Sequence, residues 1–395
     1  MFLLTAQDTV FVRSPVFFVE PEYLMGTVYP NHSDFPETGS THTMSLHLGW
    51  FQTSADKKWA SFYNFPFTGI TLSRANPGNR NVFGNQYSVL PYIAFNVFNR
   101  IKHSIFFKIA LGGSYFTRFY DVSENPDNLV IGSHFTWSFQ SFMYYSVYTS
   151  RHLSFNLGAG YLHSSNGHLQ LPNVGLNQAA IGISVKYFTH PVHPDFRPRQ
   201  YRIAVNREKH YYAMIRTGIG MHEYGSATGP VGGDKRTVNS VTVSAGMLLK
   251  EHIRVGAGLA GRYYHHYQYH ILNPVDTLYT DKPWLNASNL YFFINCEFLT
   301  GHIGMDIAGG LNLHKPYFIK QYNSHEGEAD FDYWLKKLFN TRIALNYYLI
   351  NTQKKPRNNF FVGASINANF GQADFSGICI GFTHHFLSVR EKTSF

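Results

Sequence analysis

The chain has 395 residues, of which 14% are charged and 17% aromatic, and its formal net charge is +9. An average soluble domain is about 25% charged, so an ordinary soluble multidomain protein fits this composition poorly. No apolar run approaches the roughly 18 residues of a transmembrane helix, and no long stretch is both charged and poor in aromatics, which argues against large-scale disorder.

In chain order, the first segment is Phe2-Leu3-Leu4-Thr5-Ala6-Gln7. It looks like the tail of a secretory signal with a cleavage site near Ala6, although a basic leading region and a full apolar core are missing. Residues 1–14 are therefore expected to be a partial signal-like or disordered N-terminus. Strand after strand follows, in period-2 alternation. The expected strands are 15–30, 42–53, 59–73, 82–99, 103–121, 133–150, 153–166 and 177–188, then 209–224, 237–249, 252–267, 287–299, 301–313, 341–351, 359–370 and 376–387. In the seventh, Phe155, Leu157, Ala159 and Tyr161 share one face, while Ser154, Asn156, Gly158 and Gly160 share the other.

A soluble sandwich would bury the apolar face in a core. An outer-membrane barrel turns it to lipid and lines the lumen with the polar face. The connections mostly alternate long and short: short at Arg100-Ile101-Lys102, Arg151-His152, Lys250-Glu251 and Thr300, long near 31–41, 74–81, 122–132, 167–176, 225–236, 268–286 and 314–340. That is the outer-membrane pattern of tight periplasmic turns and extended outer loops. The expected fold is an all-β, antiparallel transmembrane β-barrel of the bacterial outer membrane. The connector at 189–208 holds Pro191, Pro194 and Pro198 and splits the strands eight and eight. One barrel of about 16 strands is favoured, with two fused 8-stranded barrels as the alternative; the halves are 15–188 and 209–395. Phe331 to Phe339 has helical spacing and is expected as a short helix in an outer loop.

The basic residues lie singly in turns, so the positive charge points to anionic headgroups rather than nucleic acid. Cys296 and Cys379 are too few and too far apart for a disulfide framework or structural zinc. The stretch Tyr263 to His270 and the pair His384-His385 are His-rich; they read as an interfacial aromatic belt more readily than as a metal site.

One segment carries chemistry. His163 and Ser165 are two apart on a strand and share one face. That face is the apolar, lipid-facing parity, at the end leading into an outer loop. Imidazole beside a hydroxyl is the basic unit of nucleophilic acyl transfer: the ring takes the serine proton and the alkoxide attacks an ester carbonyl. Asn177 opens the next strand in phase with Ile181 and Ile183, so it can orient the imidazole. Asn166 and the turn amides around Gly167 are the expected oxyanion donors. On spacing alone, a rim Ser and His need no chemistry.

The run His163-Ser164-Ser165-Asn166, followed by Pro172-Asn173-Val174-Gly175, resembles the signature of the lipid A 3-O-deacylase (PagL-type, acyloxyacyl hydrolase) family. The resemblance extends over the first half of the chain, about 15–188. It implies an outer-membrane hydrolase with Ser165 as nucleophile and His163 as base. It further implies a lipid A or lipopolysaccharide substrate in the outer leaflet, no cofactor and no metal. Pro172, Asn173 and Gly175 support the motif. The family's acidic member would stand at position 177, where this chain has Asn. Leu157-Gly158-Ala159 resembles Val362-Gly363-Ala364 in the penultimate strand of the other half, and on that short alignment the second half lacks the motif, with Ala368 and Phe370 opposite His163 and Ser165. A catalytically inactive barrel serving as a channel or as a subunit of an outer-membrane assembly stays open, as does a homodimer or another outer-membrane protein partner.

Overall fold

In a computed structural model, the described residues are 15–54, 57–100, 103–192, 210–273, 279–325 and 329–386. The expectations for residues 1–14 and for most of the 189–208 connector lie outside them.

Alternating side chains make sixteen strands, and these close into two antiparallel barrels of eight. The first runs β1 (Val16–Val28), β2 (Thr41–Phe51), β3 (Phe67–Asn76), β4 (Gln86–Arg100), β5 (His103–Phe116), β6 (Phe135–Thr149), β7 (Leu153–Ser165) and β8 (Leu176–Phe188). It closes where β8 pairs with β1, Ile183 opposite Tyr23. The second runs β9 (His210–Ser226), β10 (Gly229–Leu249), β11 (Ile253–Tyr264), β12 (Ser288–Thr300), β13 (Ile303–His314), β14 (Phe339–Tyr348), β15 (Asn358–Asn369) and β16 (Gln372–His385). It closes between β16 and β9, Ile378 opposite Ile219. The barrel class and the strand number agree with the sequence. The favoured single barrel gives way to the two-barrel alternative, because β8 hydrogen-bonds back to β1 and never to β9. With no edge left, every ladder group has a partner inside a bilayer.

Each wall has two characters. Met44, Leu46, Ile70, Leu157, Ile181 and Ile183 point outward and are exposed in the first barrel, as Ile215, Val241, Ile294 and Ile378 are in the second. Inward residues are buried and largely polar. An eight-stranded barrel leaves room for side chains and little else. In the first lumen, Lys186 Nζ lies 3.4 Å from Glu20, and His47 Nε2 lies 3.0 Å from Glu22. Lys186 Nζ also lies over the Phe18, Phe67 and Phe106 rings, of which Phe67 meets the other two edge to face. In the second, Arg254 reaches Glu297 and Tyr348, while Arg262 reaches Asp374. Arg342 pairs with Asp306. Charges out of water persist only when paired in this way.

Helices fill several connections: α1 (Lys58–Phe62), α2 (Arg80–Phe83), α3 (His265–Leu272), α4 (Pro283–Asn286), α5 (Phe318–His325) and α6 (Phe331–Leu338). The short helix expected at 331–339 is α6; its first turn is capped by the Asp330 carboxylate, which accepts from Tyr333 N at 2.8 Å. Three expectations change. The strand expected at 59–73 begins only at Phe67, because Lys58–Phe62 forms α1. The long connection expected at 225–236 is instead mostly strand: β9 and β10 run on as a hairpin, turning at Ala227 and Thr228. The strand expected to 267 stops at Tyr264, where α3 begins and drives Tyr267 and Ile271 into a cluster with Tyr224 and Tyr317.

The barrels touch at both ends. On the side of the short turns, α1 lies against the β10–β11 turn: Tyr63 OH donates to His252 O at 3.0 Å, and the Phe62 and His252 rings are 4.9 Å apart. On the side of the long loops, the 166–175 loop meets the β9–β10 hairpin. An apolar space of about 1520 Å³ is lined by side chains of both walls, among them Ile93, Ile109 and Leu111 of the first and Ile219, Ala364 and Ile378 of the second.

Candidate active site

The β7 alternation continues outward from Phe155, Leu157 and Tyr161 to His163 and Ser165 at the strand's outer end. Ser164, between them, turns inward and joins a serine ladder with Ser138 and Gln86. His163 and Asn177 are direct cross-strand partners on β7 and β8. The His163 Nδ1–H donates to Asn177 Oδ1 at 2.7 Å. That bond fixes the tautomer and leaves Nε2 as the basic nitrogen. Asn177 Oδ1 also accepts the Tyr161 hydroxyl at 2.6 Å. Tyr161, placed by the sequence on the outward face, is not among the expected site residues; its signal is that parity, two residues before His163.

Ser165 is only 9% exposed, because the loop that follows folds over it. Its Oγ accepts from Gly167 N at 3.1 Å and from Asn173 Nδ2 at 3.2 Å. Both lone pairs are thereby engaged, and the hydroxyl proton remains to be given up. Among the described residues, no hydrogen bond joins His163 to Ser165. Catalytic hydrogen bonds are often long without substrate and tighten when it binds.

The loop conformation sets these donors. Gly167 and Gly175 have φ of +65° and +83°, in the left-handed region open to glycine. At Gly175 space matters too: an added Cβ would come within 3.1 Å of His163 Cε1 and 3.6 Å of Ser165 Cβ. Asn166, expected to supply an oxyanion donor through its side chain, is fully buried and spent on the loop itself. Its Nδ2 donates to Gln170 O at 2.6 Å, and its Oδ1 accepts from Leu169 N at 3.2 Å. Its backbone N–H instead donates to Asn173 Oδ1 at 3.0 Å and so aims the Asn173 carboxamide at Ser165. The pair converging on Ser165 Oγ is Gly167 N with Asn173 Nδ2. Pro172 is buried beside Gly132, whose missing side chain lets the loop lie flat.

Among its described residues, the second barrel repeats none of this. Its Ala368 and Phe370 stand at the end of β15 and in the following turn, with no hydroxyl or imidazole. In the His-rich α3 region, His266 lies beside His222 and Tyr224; no group of three or more His, Cys, Asp or Glu that could hold a metal occurs among the described residues.

Residues 44–187 match the model of the lipid A 3-O-deacylase family, PagL. That span holds β2 to β8 and the whole His163 to Asn177 segment, and ends before the second barrel. No curated protein matches the chain. Among solved structures, the outer-membrane enzyme PagL is similar at 15% identity and a TM-score of 0.29, over 42% of this chain and 97% of that one. Neisserial surface protein A is similar at 9% identity and a TM-score of 0.29, over 43% and 96%. OprB of Pseudomonas putida is similar at 8% identity and a TM-score of 0.17, over 94% of each chain.

Proposed function

We propose that this outer-membrane protein is a serine esterase that removes an ester-linked acyl chain from lipid A of the outer leaflet. The observation that carries the reading is the outward-facing group formed by His163, Ser165, Asn177, Gly167 and Asn173, within the span that matches the deacylase family. Ser165 Oγ attacks the ester carbonyl as His163 Nε2 takes its proton. Gly167 N and Asn173 Nδ2, which hold Ser165 Oγ before substrate enters, pass to the carbonyl oxygen as the Oγ–C bond forms and stabilise the oxyanion there, while Asn177 holds the imidazole. His163 then protonates the leaving sugar hydroxyl, and water activated by the same ring releases the acid from Ser165. A site on the lipid side of the wall suits a substrate whose tails never leave the bilayer.

A second reading, a barrel that keeps the scaffold without turnover, is favoured by Asn177, which orients imidazole but adds no negative charge to stabilise imidazolium. The filled lumens speak against its channel form and leave the assembly-subunit form. Mass spectrometry of lipid A from cells expressing wild type or Ser165→Ala tests the choice: loss of one acyl chain only with wild type supports the esterase, and identical lipid A with both proteins inserted rules it out.

A further inference from the structure

The second barrel carries no catalytic side chain, yet it grips the loop that carries the oxyanion donors. The loop runs from Asn166 to Gly175, and four of its backbone groups are bonded to the other barrel. Leu171 N donates to the Glu223 carboxylate at 2.9 Å. Glu223 N donates to His168 O at 3.2 Å, and Asn173 N donates to Ala227 O at 2.7 Å. The Ser376 hydroxyl donates to Gly167 O at 3.5 Å. Two side-chain contacts add to these: the His168 and His222 rings stack at 4.8 Å, and Lys235 Nζ donates to Gln170 Oε1 at 2.9 Å.

These bonds fall where the loop is least able to hold itself. His168 has a φ of +69°, a left-handed conformation that costs a non-glycine residue about 1–2 kcal/mol. Gly167, its neighbour in the chain, supplies one donor to Ser165, and Asn173, five residues on, supplies the other. Glu223 is 1% exposed, so its carboxylate is removed from water and directed at the Leu171 N–H, which among the described residues has no other hydrogen-bond partner.

We infer that the β9–β10 hairpin of the second barrel is a clamp for the oxyanion donors, with Glu223 as its positioning residue. The inference rests on the hydrolase reading of Ser165. Glu223 touches no reacting atom. It fixes His168 and Leu171, and Ala227 fixes Asn173, so that Gly167 N and Asn173 Nδ2 meet at the Ser165 hydroxyl. The motif-free half of the chain thereby completes the site in the first half.

The test uses the full chain in detergent, with heat-modifiable mobility as the check that both barrels are folded. Glu223→Ala removes the acceptor; Glu223→Gln keeps an oxygen at the same place. Two quantities are read: amide exchange of the 166–175 segment, and kcat and KM on lipid A in detergent micelles. Glu223→Ala is expected to speed exchange at Leu171 and Asn173 by about tenfold or more, the scale of a lost bond to a charged acceptor. It is expected to lower kcat by about ten- to a hundredfold with KM nearly unchanged, because the donors act on the transition state. Glu223→Gln is expected to restore most of both. Wild-type exchange and kcat in Glu223→Ala would overturn the clamp, as would a loss that Glu223→Gln fails to rescue. Should Glu223→Ala not fold, His222→Leu is judged by the same two quantities. If wild type itself leaves lipid A uncut, the hydrolase reading falls separately, and exchange alone decides whether the clamp exists.

Discussion

His163 Nδ1 and Asn177 Oδ1 lie 2.7 Å apart across the β7–β8 ladder, and among the described residues no carboxylate joins them. A neutral amide supplies the orientation that an acid gives in a Ser–His–Asp site, without the charge that steadies imidazolium. Asn177→Glu is therefore expected to raise kcat by about tenfold or more, whereas Asn177→Ala lowers it by a similar factor. Release of free fatty acid from lipid A micelles measures both. A rate that falls in Asn177→Glu would show that the amide is matched to another need.

Tyr161 donates to the same Asn177 oxygen at 2.6 Å. Tyr161→Phe removes one bond and leaves the ring in the wall. A net contribution of about 1 kcal/mol per hydrogen bond predicts a several-fold loss of kcat, with thermal stability almost unchanged. An unaltered kcat would remove Tyr161 from the site.

Gly175→Ala combines an unfavourable φ with a methyl group against the His163 ring. The conformational cost alone is about 1–2 kcal/mol, and the contact displaces the base. Activity is expected to fall by about a hundredfold, while the barrel still migrates as a folded species on unheated gels.

In the first lumen, Lys186 and Glu20 are buried 3.4 Å apart. Removing one partner leaves a charge unpaired, at a cost of about 3–5 kcal/mol. Lys186→Met is expected to unfold at markedly lower urea, and Lys186→Met with Glu20→Gln to recover most of the loss. A double variant no better than the single one would contradict the pairing.

The contact between barrels at the short-turn end is expected to depend on pH through His252. Burial beneath Phe62 and Tyr63 lowers its pKa from 6.5 to about 4, with Glu251 offsetting part of the shift. The unfolded state therefore binds the proton first as pH falls. The contribution of neutral His252 is complete above about pH 6.5 and is lost as pH drops towards about 4. A spin-label distance across α1 and the β10–β11 turn is expected to broaden over that window in wild type and to stay constant in His252→Phe.

Side-chain alternation made the strands and the outward parity of His163 and Ser165 legible, because period 2 follows directly from strand geometry. Closure was not legible. Alternation says which face a residue takes but not which strand it pairs with, so Ile183 opposite Tyr23 could not be read from the sequence. The stretch 225–236, expected as a long connection, includes Gly229, Pro230, Gly232 and Gly233, yet these lie in the strand that forms the clamp. The reversed roles of Asn166 and Asn173 come from left-handed turns at Gly167 and His168. Of these, only the glycine announces itself.

The most direct measurement incubates purified protein with lipid A in heavy-oxygen water and follows both products by mass spectrometry. The account predicts a free fatty acid carrying one heavy oxygen, matched by lipid A lacking that chain, with wild type and not with Ser165→Ala. Equal product from the two proteins, or none from a folded wild type, would contradict it.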